Sequence, residues 1–192
     1  MATAETVKLH IAGIGHVFYA DIDTPALDVT AFKFLDESTY GTWTWLGDTS
    51  SENMVEFETD GGDITYKRTW DRLKTGAVRE DETISATINS VNASAETFNL
   101  GFAGHTYDEV TQSYTVAGNS SSSAKALLIV TEDGAQNAAL YLPNTDIKGS
   151  FPTFDLEEYM EIPLSVAILS SPSTGNLWQW FEPRPYVAAV AG

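Results

Sequence analysis

Met160-Glu-Ile-Pro-Leu-Ser-Val-Ala-Ile-Leu169 alternates without a break: Met160, Ile162, Leu164, Val166 and Ile168 fall on one face, and Glu161, Pro163, Ser165 and Ala167 on the other. A period of two is that of a half-buried strand, and a strand this long covers much of a core. Pro163 has no amide donor, so the strand is expected to be an edge or to bulge there. The same period recurs at Ile84, Ala86 and Ile88, set against Thr83, Ser85, Thr87 and Asn89. Residues 124–131 are apolar on both faces, the pattern of an interior strand. Shorter strands fit residues 16–20, 43–46, 53–59, 64–69, 112–116, 138–142 and 177–181, with turn residues at 60–63, 118–123, 133–134, 143–144 and 172–175. About nine or ten strands at this spacing predict a mainly β chain, a sandwich or a closed barrel.

One helix is predicted, with Asn92 as its cap, Glu96 in the positive first turn, Phe98 and Phe102 four apart, and Gly104 as its end. It is expected to cover one edge of the sheet. The ends read as arms. Residues 1–12 are small and weakly patterned, and 183–192 opens with Pro183-Arg-Pro, which is not expected to pair as a strand at its start. Fraying and docking on a neighbour are both open for these arms.

The chain has 192 residues, the length of one domain. Its 27 acidic and 10 basic side chains give a net charge of −17. Neutralising phosphates takes a basic face, so an ordinary nucleic-acid binder is excluded, and an anionic membrane repels the chain. With no cysteine, disulfides, thiolate nucleophiles and Cys-ligated metals are all excluded. The first fifteen residues hold one lysine and an apolar patch too short for a secretory signal. The longest strongly apolar run, 126–130, is far below the ~20 residues of a spanning helix. Assembly in the cytoplasm is the expectation.

Half of the cations lie together. Lys67, Arg68, Arg72, Lys74 and Arg79 occupy thirteen residues with only Asp71 opposing them, a net +4 that leaves −21 on the other 179. Most charge clusters are solvated faces. Here the contrast of sign gives the segment an affinity for the body of another copy, a heterologous contact that closes into rings or runs on as filaments.

Catalytic signals are weak. Asp21-Ile-Asp23 follows an apolar strand, as in haloacid-dehalogenase-type phosphatases that hold Mg²⁺, but Pro25 stands where that pattern has Thr or Val. The helices of a parallel sheet are missing too, so a strand-end turn is the preferred reading. Asp21, Asp23 and Asp28 lack the turn glycine of a Ca²⁺ loop. His10, His16 and His105 share no metal spacing. No nucleophile elbow or phosphate loop is present, so neither enzyme nor cofactor is expected. Trp43 and Trp45 share a face of one strand, as do Trp178 and Trp180. Such pairs can stack sugars, which would make the chain a carbohydrate-binding β-sandwich module, or pack in a core or subunit interface.

The order of features resembles a known family. Gly15-His-Val-Phe-Tyr-Ala20, the acidic strand at 53–60, the Trp- and Arg-bearing segment at 69–79, the Thr-rich strand at 82–91 and its helix ending Phe102-Ala-Gly104 follow one another. The late strand at 160–169 and a Trp-bearing strand then close the series. This is similar to the major tail subunit, or tail tube protein, of long-tailed phages of actinobacteria.

That resemblance implies a β-sandwich or half-barrel with one flanking α-helix, completing a closed barrel shared by a hexameric ring, with rings stacked into a tube. It implies a virion location and, as partners, other copies, a tape measure protein, and tail terminator and baseplate proteins. The loop reaching the next ring matches residues 60–82, with Lys67, Arg68, Trp70, Arg72, Lys74 and Arg79 as contact residues. DNA would pass through the lumen without specific binding, because acidic walls repel it. Glu56 and Glu58 share a strand face and are the first candidates for that wall, with Glu80 and Glu82 next; a solvated outer face is open for each.

Overall fold

A computed structural model of the chain describes residues 10, 13–52, 54–73, 75–118, 121–134, 136–154 and 159–185. Twelve strands lie among them: β1 (Ile14–Ala20), β2 (Thr44–Trp45), β3 (Glu56–Gly61), β4 (Ile64–Lys67), β5 (Gly76–Arg79), β6 (Glu82–Ser90), β7 (Thr106–Asp108), β8 (Ser113–Thr115), β9 (Ser123–Glu132), β10 (Gln136–Gly149), β11 (Ile162–Leu169) and β12 (Gln179–Pro185). One α-helix, α1 (Ala95–Gly101), follows β6. Residues 1–9 and 11–12 of the N-terminal arm and 186–192 of the C-terminal arm lie outside the described residues.

Eight strands form one antiparallel sheet in the order β2-β1-β9-β10-β11-β6-β3, with β12 paired to β10. The remaining four make two separate hairpins, β4-β5 and β7-β8. There is no second large sheet for a sandwich among the described residues. The margins of the main sheet instead meet at a single bridge, Thr49 to Ser90, short of a continuous ladder. Val17, Leu127, Leu142, Ile147, Leu164 and Ile88 point into the concave face and form one core with Leu100 of α1. The helix sits close: an added Cβ on Gly101 would meet Leu164 Cδ2 at 2.7 Å, and one on Gly149 would meet the Phe102 ring at 2.7 Å.

β10 runs for fourteen residues through positions expected to form a turn. Pro143-Asn144 does not end a strand; it forms a bulge, two residues facing Ala126 of β9. A bulge removes the need for the amide that proline lacks. The expectation that Pro183-Arg-Pro cannot pair is also corrected. β12 continues to Pro185, with Arg184 opposite Asn137, and Glu182-Pro183 bulge against Ala138. β12 pairs with β10 alone, so its other edge asks for no amides there. Pro163 lies in an interior strand rather than at an edge, between β10 and β6. Its carbonyl accepts from the Ser150 amide at 2.8 Å, beyond the last β10 pair at Leu164, so its missing donor falls at the end of that ladder.

The helix cap is Ser94, whose hydroxyl accepts from the Thr97 amide, and not Asn92. Asn92 instead donates to the Leu46 carbonyl from against Gly47, which has φ +100°.

On its convex face the sheet is covered over β1, β9 and β10 by residues 21–43, a segment with one short 3₁₀ turn, Glu37–Thr39. Val29, Phe32, Tyr40 and Trp43 from this segment pack on Phe18, Leu128 and Tyr141 as a second core. Buried Asn137 clips the cover down, donating to the carbonyls of Val29 at 3.1 Å and Phe32 at 3.0 Å. Tyr141 and Trp43 add bonds to the Thr24 and Pro25 carbonyls. Over β11, β6 and β3 the convex face is bare, presenting Ser165, Ala167, Thr87, Ser85, Glu56 and Glu58. Asn137→Ala strands two buried carbonyls, so unfolding by denaturant should show a loss of about 1–3 kcal/mol; an unchanged midpoint would place the hold on the cover elsewhere.

Candidate functional site

β3, β4 and β5 are exposed at every residue. β3 pairs only with β6, leaving its other side open, and the chain then turns at Gly61 and Gly62, with φ +87° and +75°, into the β4-β5 hairpin. A side chain at Gly61 would meet the Asp81 carbonyl at 2.4 Å, so the turn needs glycine for room as well as for its backbone angles. The expected loop at 60–82 is thus a two-stranded arm. At its tip the Thr69 amide bonds to the Arg72 carbonyl, and Trp70 is fully exposed with Leu73 beside it.

Among the described residues no carboxylate pairs with Lys67, Arg68 or Arg72. Arg79 differs, because it reaches Glu82 within the same chain at 3.2 Å. Lys74 lies outside the described residues. The structure therefore gathers Arg68, Trp70 and Arg72 at the tip and leaves Arg79 at the root.

The four glutamates are also divided. Glu56 and Glu58 stand together on the bare convex face, opposite Thr87 and Ser85. Glu82 has the alternation of Ile84 and Ala86, the opposite face, and is held by Arg79; Glu80 lies in the turn closed by its own amide to the Asp63 carbonyl.

Two grooves flank the strand-like segment 48–51, a feature the sequence pattern did not disclose. One, about 630 Å³, is mainly apolar and is lined by Trp45, Met54, Val55, Phe57, Trp180 and His16. The other, about 610 Å³, is lined by Asp48, Glu52, Glu161 and Tyr159. In the first, His16 is buried and stacks on Phe34, ring centroids 3.7 Å apart. Its Nε2 lies 3.9 Å from Glu132 Oε1, and neither atom has a hydrogen-bond partner among the described residues. Burial holds the imidazole below its ordinary value against the opposing Asp48 carboxylate, while burial pushes the Glu132 carboxyl up.

The remaining chemical candidates resolve into structure. Asp21 takes the Lys125 ammonium at 2.7 Å. Asp23, at φ +60°, accepts from the Ser171 hydroxyl at 2.6 Å and the Ser173 amide at 3.2 Å, so the pair forms the strand-end turn and ties it to residues 171–173. Among the described residues no cluster of His, Asp and Glu is placed to hold a metal. No helix among them is long and apolar enough to cross a membrane. Trp43 is buried with its indole N–H satisfied, which removes the first pair from sugar stacking; Trp178 and Trp180 are half-exposed.

A single curved sheet with a bare polar face, an open edge and a detached basic arm describes a building block of an assembly. The chain belongs to the phage tail tube protein family, whose model matches residues 1–191. It is also 28% identical over 129 residues to the major tail protein Gp23 of Mycobacterium phage D29, an overlap of 64% of this chain and 65% of that protein. The family expected from the order of sequence features is the one found.

His16 gives a measurable consequence. The folded state favours the neutral ring, so its contribution is present above the ordinary value of 6.5 and is lost as the pH falls below it. Between about pH 7 and about pH 5 the wild type should lose more stability than His16→Phe, which keeps the stack on Phe34 but cannot titrate. Equal pH slopes in thermal unfolding would remove His16 from the acid response.

Proposed function

We propose that this chain is a structural, non-enzymatic subunit of a phage tail tube: copies join edge to edge into hexameric rings, and the rings stack into a conduit for DNA. The observation that carries the reading is the fully exposed β3 and the arm that continues it. An unpaired edge beside a sheet with unfinished margins is a template for a neighbour's strand, and the sheets of six copies would complete one closed barrel. The arm and the body carry opposite charge and are different surfaces, so their contact is heterologous and propagates from ring to ring. The tape measure, terminator and baseplate proteins are partners that family membership suggests. Assembly in the host cytoplasm and a place in the virion tail go with it.

The bare convex face suits the lumen. It is built mainly from small polar side chains, with Glu56 and Glu58 on its β3 side and Asp146 and Lys148 of β10 opposite Ala167 and Ser165. DNA carries about one charge per 1.7 Å of axis, so a wall of carboxylates repels it and leaves it free to slide. Glu80 and Glu82 stay at the root of the arm in this reading. The half-exposed Trp178 and Trp180 are the remaining feature of the carbohydrate-binding alternative, and titration with glycans would show saturable tryptophan quenching if it held.

Two experiments test the proposal. Concentrated wild-type protein should form hollow tubes in negative-stain images, and the Arg68→Glu, Arg72→Glu, Lys74→Glu triple variant should stop at rings or monomers; tubes of normal length from the variant would refute the role of the arm. Tubes of Glu56→Lys, Glu58→Lys protein should co-sediment with duplex DNA in a salt-sensitive way that wild-type tubes do not. DNA held by the variant tubes but fully open to added nuclease would move these residues to the outside.

A further inference from the structure

The reading above gives the arm a partner but no receptor. At about 3.3 Å per residue, the run from Glu56 to Lys67 carries the tip up to roughly 36 Å from the start of β3. Because every residue of β3, β4 and β5 is exposed, the arm does not fold back on its own body. Its tip nevertheless carries two kinds of unfinished business: a fully exposed tryptophan with an exposed leucine, and two arginines without carboxylate partners among the described residues.

The body carries the complement at one place. The apolar groove holds Met54, Phe57 and Trp180, all partly open to solvent. The acidic groove holds the exposed carboxylates of Asp48 and Glu52 beside the exposed ring of Tyr159, with Glu161 buried in its wall. Residues 48–51 border both, so the two grooves lie side by side on a single ridge. At the arm tip, apolar Trp70 lies between Arg68 and Arg72 in the chain.

We infer that residues 48–52 and the two grooves beside them are the receptor for the arm of another copy: Trp70 enters the apolar groove while Arg68 and Arg72 take the exposed carboxylates across the ridge. This rests on the tube reading and names the surface that reading leaves open. Neither half would suffice alone. Exposed ion pairs are individually weak, whereas an aromatic side chain buries about 150–250 Å² in a groove of this kind. The carboxylates add charge complementarity, because Arg68 and Arg72 flank Trp70 two residues away on either side. The ridge includes the bridge between Thr49 and Ser90, where the sheet margins meet, so a bound arm would lie against that closure.

The chain has no cysteine, so introduced thiols are the only ones present. Ser51→Cys and Asp71→Cys in one chain leave Trp70, Arg68 and Arg72 in place. Assembled tubes of this double variant treated with a short bis-maleimide should give a ladder of dimers, trimers and longer chains on a denaturing gel, and each single variant no more than a dimer. Tubes in which both thiols react with a monofunctional maleimide but no ladder forms would overturn the receptor and leave the tube reading intact. Failure of the wild type to form any tube would overturn both. As a second measure, Glu52→Arg with Met54→Asp should slow tube formation at least about tenfold with an unchanged unfolding temperature. Normal kinetics in that variant would also overturn the receptor.

Discussion

The structure depends on the divided edge of β10. One side of this strand pairs with β9 along nearly its whole length; the other pairs with β12 over its first part and with β11 over its last. The division falls at the Pro143-Asn144 bulge. Without it, β10 would run as an ordinary strand and β11 and β12 would compete for one edge. With it, the sheet curls so that β11, β6 and α1 close over the concave core while β12 borders the apolar groove. The Pro143 carbonyl is also used outside the ladder, accepting the Asp23 amide at 2.9 Å, which anchors the covering segment 21–43.

The strands that bury one face were legible because alternation is a direct record of burial. β11 and β6 appear with the inward residues named from period alone, and β9, apolar on both faces, lies inside the sheet with cores on either side. Proline misled the reading in three places for one reason. Its missing donor excludes a ladder bond, and the sequence does not say whether a given position needs that bond. At Pro143 and Pro183 a bulge removes the need, and at Pro163 the ladder has already ended. The helix cap was misplaced by two residues because Asn92 and Ser94 are both good caps, and a contact with Leu46, forty-six residues away, decides between them.

The surface features divide in the same way. Charge along the arm is a local property, so the basic segment was visible before any fold was known. Glu56 and Glu58 stood ahead of Glu80 and Glu82 as wall candidates from their shared strand face, and strand parity and the Arg79 contact set Glu82 on the other face. The grooves were not legible at all, since their walls come from segments near residues 14–17, 45–57, 129–140, 159–161 and 180. The covering segment 21–43 has no period to read; its apolar residues serve a surface that the sheet supplies. That cover marks which half of the convex face is spoken for, and the family assignment gives the uncovered half its interest.

Gly61 and Gly62 fix the arm at its root by their backbone angles and by the close approach of residues 81 and 82 that they permit. The heading of the arm is therefore set by two residues that contribute nothing to what its tip can grip. Adhesion and direction are separate variables in this molecule. Change at the root would re-aim the lever and alter the rise or twist from one layer of copies to the next, with the strength of each joint unaltered. Change at the tip would do the reverse.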